Sequence, residues 1–264
     1  MITSTSNSQV KNILLLQNKS KARKKAGQFI VEGVKMVMEA PRERIVKIYA
    51  SESFLHNNIE IIKKRHTQLD TSLFEEVSDS VFVHMSDTKT PQGIMAVVAM
   101  NDWKMDTIIS ANKPLLICIQ NLQDPGNLGT IMRMAEGAGV SGIIASANTV
   151  DIYNPKTIRS TMGSIYRVPF VYTDDFIGTI ELMKEKGIGV YAAHLEGTKS
   201  YTMPDYRQST AFLVGNEANG LSADAAHAAS EYIKIPMKGE VESLNAAVAC
   251  TVLAYEAVRQ RNSC

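Results

Sequence analysis

Cysteine is scarce in this chain of 264 residues, three in all. None stands in a C-x-x-C pair, so they offer neither a disulfide framework nor a zinc ribbon. Cys118 and Cys250 sit inside apolar runs and Cys264 is terminal. Buried free thiols and no bound metal are the expectation. Long apolar runs are missing as well. None approaches the roughly 20 residues of a membrane helix, so no membrane contact is expected. The start, Met1-Ile2-Thr3-Ser4, lacks the charged-then-apolar layout of a secretory leader, which sets a cytoplasmic location as the expectation. No internal repeat or low-complexity segment is visible. A strong excess of one charge is also absent, since a net charge of +1 argues neither for nor against a polyanionic partner.

What is present matches an ordinary globular chain, with apolar and charged fractions of 45% and 21%. The length suits one large domain or two ordinary ones. The charge is unevenly spread. Residues 1–31 hold Lys11, Lys19, Lys21, Arg23, Lys24 and Lys25 with no acidic residue before Glu32. Such a cluster favours phosphate approach through counterion release. A solvated basic face on a surface helix accounts for the same charges.

A composition break at 101–113 reads as a linker between a segment at 1–100 and another at 114–264. In the first, Phe29-Ile30-Val31, Ile45–Ala50 and Gly93–Ala99 read as strands, and Val34–Ala40 has helical spacing, giving a small α/β domain. In the second, Leu115–Gln120, Gly142–Ser146, Val168–Tyr172, Val190–Ala193, Ala211–Val214 and Tyr232–Ile235 read as short strands with helices between most of them. That alternation predicts an α/β fold with a mostly parallel sheet covered on both faces. A final helix is expected over Ser243–Arg261, with Leu244, Val248, Val252, Tyr255 and Val258 as one apolar stripe.

Gly137-Ala138-Gly139-Val140-Ser141-Gly142 matches the G-x-G-x-x-G pattern of dinucleotide sites. Such a site needs the loop after a strand and opening a helix. Here the helical stretch Leu128–Glu136 precedes it and a strand follows, so the glycines read as a helix stop. A nicotinamide dehydrogenase is thereby disfavoured.

Three segments carry polar residues where ligands of open α/β sheets bind, beyond the strand ends. In the first, Asn121–Ala135, a helix is expected to start near Asn127, with Arg133 six residues on and able to share its side. An Arg among Leu128, Ile131, Met132 and Ala135 is costly unless it meets an anion. A structural carboxylate partner and a phosphate both satisfy that demand. In the second, Leu213–Ser222, Gly215 and Gly220 would let backbone approach a flat base closely, and Ser222 reads as a helix N-cap. In the third, Ile235–Ala249, a strand passes through Pro236 into a loop, and Ser243, Leu244 and Asn245 open the last helix.

Together and in this order, the three segments resemble the signature motifs of the SpoU (TrmH-like) branch of the SPOUT methyltransferases. The resemblance runs from about Leu115 to Arg261. Arg159-Ser160-Thr161-Met162-Gly163-Ser164 with Arg167-Val168-Pro169 is similar to the family as well, and Lys24–Gly33 resembles its N-terminal substrate-binding domain. The resemblance implies a C-terminal trefoil knot, one of the rare exceptions to unknotted chains, and a small N-terminal RNA-binding domain. It implies RNA ribose 2′-O-methylation from S-adenosylmethionine by a homodimer. Leu213, Gly215, Asn216, Glu217, Gly220, Ile235, Pro236, Met237 and Leu244 would hold the cofactor. Arg133, with Asn127, Glu217, Ser243 and Asn245, would serve catalysis, and Lys21, Arg23, Lys24, Lys25, Arg159 and Arg167 would meet RNA. The family's Val-Ser after the third-motif Asn is replaced here by Ala246-Ala247, which removes one hydroxyl near the site. Ribosomal RNA is the favoured substrate. Transfer RNA, or a catalytically silent RNA-binding role on the same fold, are the alternatives.

Overall fold

Short β-branched runs and amphipathic stretches alternate along the chain, and a computed structural model describing residues 1–65 and 73–263 converts that alternation into two compact units. In chain order the helices and strands are α1 (Ser8–Asn18), α2 (Ser20–Ala26), β1 (Gln28–Glu32), α3 (Val34–Glu39), β2 (Ile45–Ser51), α4 (Glu52–Arg65), β3 (Phe74–Val77), α5 (Asp79–Met85) and β4 (Ile94–Ala99). There follow α6 (Met105–Ile109), β5 (Leu115–Ile119), α7 (Pro125–Gly137), β6 (Gly142–Ser146), α8 (Pro155–Thr161), β7 (Phe170–Thr173), α9 (Phe176–Glu185), β8 (Gly189–Ala193), β9 (Lys199–Ser200), β10 (Thr210–Val214), α10 (Ala223–Ala228), β11 (Glu231–Lys234) and α11 (Ala246–Asn262).

The first unit comprises residues 1–101 together with 151–166. Among the described residues its sheet has the order β1-β4-β2-β3, with β4 antiparallel to both β1 and β2. The membership of 151–166 is invisible in the sequence and has a physical cause. Asp151 takes the buried Arg23 guanidinium at 2.5 Å, Tyr153 packs on Phe29 with ring centroids 4.7 Å apart, and the Tyr166 hydroxyl donates to the Met36 carbonyl at 2.8 Å.

Arg23 therefore departs from the expected RNA-contact role. It is 3% exposed and also donates to the carbonyls of Leu16 (2.7 Å) and Gln17 (2.8 Å) in the last turn of α1, where a cation is favoured. Lys21, Lys24 and Lys25 stay exposed. Arg23→Ala is expected to cost about 3–5 kcal/mol, because it leaves Asp151 charged and uncompensated. Thermal melts check this, with Lys21→Ala/Lys25→Ala expected to melt like the wild type.

The second unit, residues 102–150 and 167–264, holds a parallel sheet of order β7-β6-β5-β10-β8-β11-β9. The expected linker at 101–113 is partly structural, since α6 buries Ile108 and Ile109 in the core of this unit. Strand β7 starts two residues later than expected. Pro169 has no N–H to donate, and only its carbonyl joins the neighbouring strand, accepting from Ile143 at 2.9 Å. The 137–142 glycines do end a helix, with Gly139 left-handed at φ +66°.

Two helix starts move. Helix α7 begins at Pro125 rather than near Asn127, because Asp124 caps it by accepting from the Asn127 amide at 2.7 Å. Helix α11 begins at Ala246, not Ser243, because Asn245 is the cap and accepts from the amides of Ala247 and Val248.

The large-residue stripe of α11 is not the face the helix buries. Val248 and Tyr255 are each 47% exposed, and the buried face is Ala246, Ala247, Cys250, Leu253, Ala254 and Ala257. Mostly small side chains let α11 lie close against α7, β10 and β5. Cys118 and Cys250 are fully buried, and desolvation pushes both thiols up to about 12, so they are inert. Cys264 lies outside the described residues.

Candidate active site

Strands β5, β10, β8 and β11 all run parallel, so the loops that follow β5, β10 and β11 leave the same edge of the sheet. Each loop is built by local chemistry. Gln120, just past β5, and Ser222, the N-cap of α10, bind reciprocally. Gln120 Nε2 donates to Ser222 Oγ at 2.9 Å, and the Ser222 amide donates to Gln120 Oε1 at 2.8 Å. Asn121 turns the chain in a left-handed conformation, φ +56°. Ser146 at the end of β6 fixes it, accepting from its amide (2.9 Å) and donating to its Oδ1 (3.0 Å).

The loop after β10 doubles back at once. Asn216 and Gly220 exchange backbone hydrogen bonds at 3.0 and 2.9 Å. A Cβ on Gly215 would lie 2.0 Å from the Gly220 carbonyl carbon. Gly215 is therefore demanded by the chain's own backbone. Asn216 likewise has a scaffold role. Its Nδ2 donates to the Asn121 carbonyl (2.8 Å), and its Oδ1 accepts from Ala218 (2.8 Å) and Asn219 (3.2 Å).

One hydrogen-bonded chain then joins all three loops. Asn245 Nδ2 donates to Asn127 Oδ1 at 3.0 Å, and Asn127 Nδ2 donates to Glu217 Oε1 at 3.0 Å. The carboxylate can only accept, which fixes both amides in orientation. The amides of Gln123 and Asp124 also reach Glu217, each at 3.4 Å. Burial raises the Glu217 carboxyl, but these hydrogen bonds together outweigh it and hold the group below the ordinary glutamate value of 4.5. The stabilisation is thus complete above 4.5 and is lost as pH falls through the lowered folded value. Glu217→Gln is expected to melt below wild type at pH 7, with the gap closing on acidification. A gap constant down to pH 3 overturns the assignment.

Arg133 lies on the exposed side of α7 and makes no ion pair or hydrogen bond among the described residues. Both expectations for it change. Exposure removes the desolvation cost, and no carboxylate claims it. Six residues rotate a helix through about 600°, so Arg133 sits about 120° round from Asn127 and instead follows Gly126 and Thr130 on the outer stripe. Ser243 is exposed and outside the Asn245–Asn127–Glu217 chain. Leu213 is fully buried in the sheet core, paired with Cys118 and Ala192 on either side. Ile235, Met237 and Leu244 are half-buried and Pro236 is exposed. From Pro236 to Leu244 the backbone finds no hydrogen-bond partner among the described residues. Arg159 pairs with Asp87 and Arg167 with Glu136, so neither is a free cation. Sequence reasoning passed over Gln120, Ser146 and Asp124. Only Asp124 carried a readable signal, as an acidic residue before Pro-Gly at a helix start.

A parallel α/β sheet whose polar loops converge beyond its strand ends defines a protein that binds a small ligand at that edge, without a glycine-rich dinucleotide loop. Residues 114–255 match the SpoU rRNA Methylase family, and residues 7–96 match the MRM3-like substrate binding domain. The chain belongs to the SpoU rRNA methylase family. It is 34% identical over 260 residues to the 23S rRNA (guanosine(2553)-2′-O)-methyltransferase RlmP of Bacillus subtilis, covering 96% of this chain and 97% of that protein. Its structure is similar to that of the SpoU methyltransferase AviRb of Streptomyces viridochromogenes in complex with AdoMet, with TM-score 0.84, 28% identity and coverage of 98% and 100%. It is also similar to an AdoMet-bound rRNA methyltransferase of Sinorhizobium meliloti, with TM-score 0.82, 29% identity and coverage of 98% and 97%.

Proposed function

We propose that this protein methylates a ribose 2′-hydroxyl of ribosomal RNA with S-adenosylmethionine as donor. The observation that carries the reading is the Asn245–Asn127–Glu217 chain, which ties the three loops at the strand ends into one site, while Arg133 on the same helix as Asn127 is left unclaimed among the described residues. The residues fit the cofactor. The unpartnered backbone of Pro236–Leu244 and the half-buried side chains of Ile235, Met237 and Leu244 offer amides, carbonyls and apolar contacts for an adenosine. Gly215, Ile235 and Leu244 hold it, with Leu213, Asn216, Glu217, Gly220, Pro236 and Met237 shaping the loops around it, within a C-terminal trefoil knot. When bound, the cofactor supplies an electrophilic methyl group on a sulfonium.

The protein's own part is placement and charge. Holding hydroxyl and methyl donor in line supplies ~7–11 kcal/mol of the barrier. Arg133 stays protonated throughout, so it is not the base. It clamps a phosphate and stabilises the charge growing on the ribose oxygen. Asn127 and Asn245 orient the loops that carry the reacting groups, and Ser243 meets the ribose or its phosphate. Lys21, Lys24 and Lys25 supply sequence-independent RNA attraction. Mapping ribose methylation in RNA from cells with and without the gene tests the reading. A site lost from ribosomal RNA supports it, and a loss confined to transfer RNA replaces the substrate.

The protein works as a homodimer in the cytoplasm. The second copy covers the outward stripe of α11, Val248 and Tyr255, and Asn245 at the start of that helix links the interface to the site. Val248→Asp is expected to shift the molecule from dimer to monomer in sedimentation without lowering its helix content. A wild type that sediments as a monomer overturns the assembly. Among the described residues no helix is long and apolar enough to cross a membrane, and no cluster of His, Cys, Asp and Glu could hold a metal.

A further inference from the structure

In the first unit, β1, β2 and β3 run in one direction, so their C-terminal ends share an edge with the start of β4. Beyond that edge lies a cleft of about 270 Å³ lined in part by Ser53, Asn57, Asp79, Val83, Pro91 and Gln92. It lies just below the usual span of ligand pockets, about 300–1,000 Å³, and has room for one flat ring system rather than a duplex.

Its lining combines hydrogen-bond readout with an apolar platform. The Asp79 carboxylate accepts from the Ser53 hydroxyl (2.5 Å) and amide (3.2 Å). The hydroxyl bond, with the amide behind it, holds the acid below its usual range, so it is a pure acceptor with lone pairs to spare. Gln92 Oε1 accepts from the Val34 amide at 2.8 Å, which fixes the side chain and leaves its Nε2 donors available. Asn57 is exposed and adds a second amide without a partner among the described residues. Val83 is apolar yet 62% exposed, and with Pro91 it offers a face against which a ring can lie.

An ionised acceptor beside amide donors complements one base. Guanine presents two adjacent N–H donors to a carboxylate and an O6 acceptor to an amide, whereas adenine and uracil present no such donor pair. Sequence-specific readout of RNA depends on bases splayed out of their stacks. We propose that this cleft holds one unpaired guanine of the substrate RNA. The proposal rests on the reading of the protein as an RNA methyltransferase and gives its first unit a defined recognition site, separate from the methyl-transfer site of the second.

The test uses the full-length protein and three labelled ten-nucleotide RNAs: oligouridine, the same with one central guanosine, and the same with one central adenosine. The guanosine is expected to tighten binding by about tenfold or more, the scale of a bidentate base contact, and the adenosine to leave it unchanged. Val83→Glu, at an exposed position, and Asp79→Asn are expected to erase the guanosine preference while oligouridine binding persists. S-adenosylmethionine binding by calorimetry confirms that both variants are folded. Equal affinity for the three RNAs, or a preference that survives Val83→Glu, overturns the guanine site even if the protein methylates cellular RNA. Absence of any RNA binding together with absence of methyl transfer overturns the parent reading as well.

Discussion

Arg133→Ala is expected to lower methyl transfer by at least about 10²–10³-fold, the loss seen when a single preorganised charge-stabilising donor is removed from an active site. Its melting temperature and S-adenosylmethionine affinity should match the wild type. The two halves of that expectation share one structural cause. The side chain is exposed and carries no ion pair or hydrogen bond among the described residues, so deleting it disturbs nothing in the fold. Arg133→Lys is expected to recover only a small part of the rate, since an ammonium keeps the charge but not the planar fork that grips phosphate. Single-turnover methylation with saturating cofactor makes the measurement. An alanine variant turning over within threefold of wild type removes Arg133 from the mechanism.

Gly215→Ala is expected to weaken cofactor binding severely. Its added Cβ would stand 2.0 Å from the carbonyl carbon and 2.2 Å from the oxygen of Gly220, and 2.2 Å from the Leu221 amide nitrogen. All three are backbone atoms, so no rotamer change relieves the clash. The loop must open, and the Asn216–Gly220 bridge goes with it. Overpacking in a well-packed place costs about 1–3 kcal/mol. A displaced loop also carries Glu217 away from Asn127. Calorimetry should therefore show S-adenosylmethionine affinity reduced by about 100-fold or more, with a modest fall in melting temperature. Unchanged affinity means that the hairpin at 215–220 takes no part in holding the cofactor.

The ordering of strands and helices was readable because each carries a period that survives any tertiary setting. Gly142–Ser146 was placed to the residue, and the 137–142 glycines were assigned to a helix stop from element order alone. The starts of α7 and α11 were misplaced by two and three residues, because caps depend on which side chain reaches which amide. The face that α11 buries was not readable for a related reason. A period of 3.6 identifies a stripe of large residues without saying whether the same subunit or a second copy covers it. Close packing on α7 selected the small-residue stripe of Ala246, Cys250, Ala254 and Ala257. Arg23 and Lys24 are indistinguishable by composition, yet one is buried against Asp151, 128 positions away, and the other is exposed.

By itself the sequence determined the α/β class, the two-part organisation and the family, since these rest on local periodicity and on motifs whose residues are contiguous. It also determined the ordered presence of Asn127, Glu217 and Asn245. Only the tertiary structure decided that those three form one hydrogen-bonded chain, that residues 151–166 belong to the first unit, and that Arg133 has no partner among the described residues. Those facts are distances between residues far apart in the chain, set by how sheets and helices pack, and no local pattern encodes them.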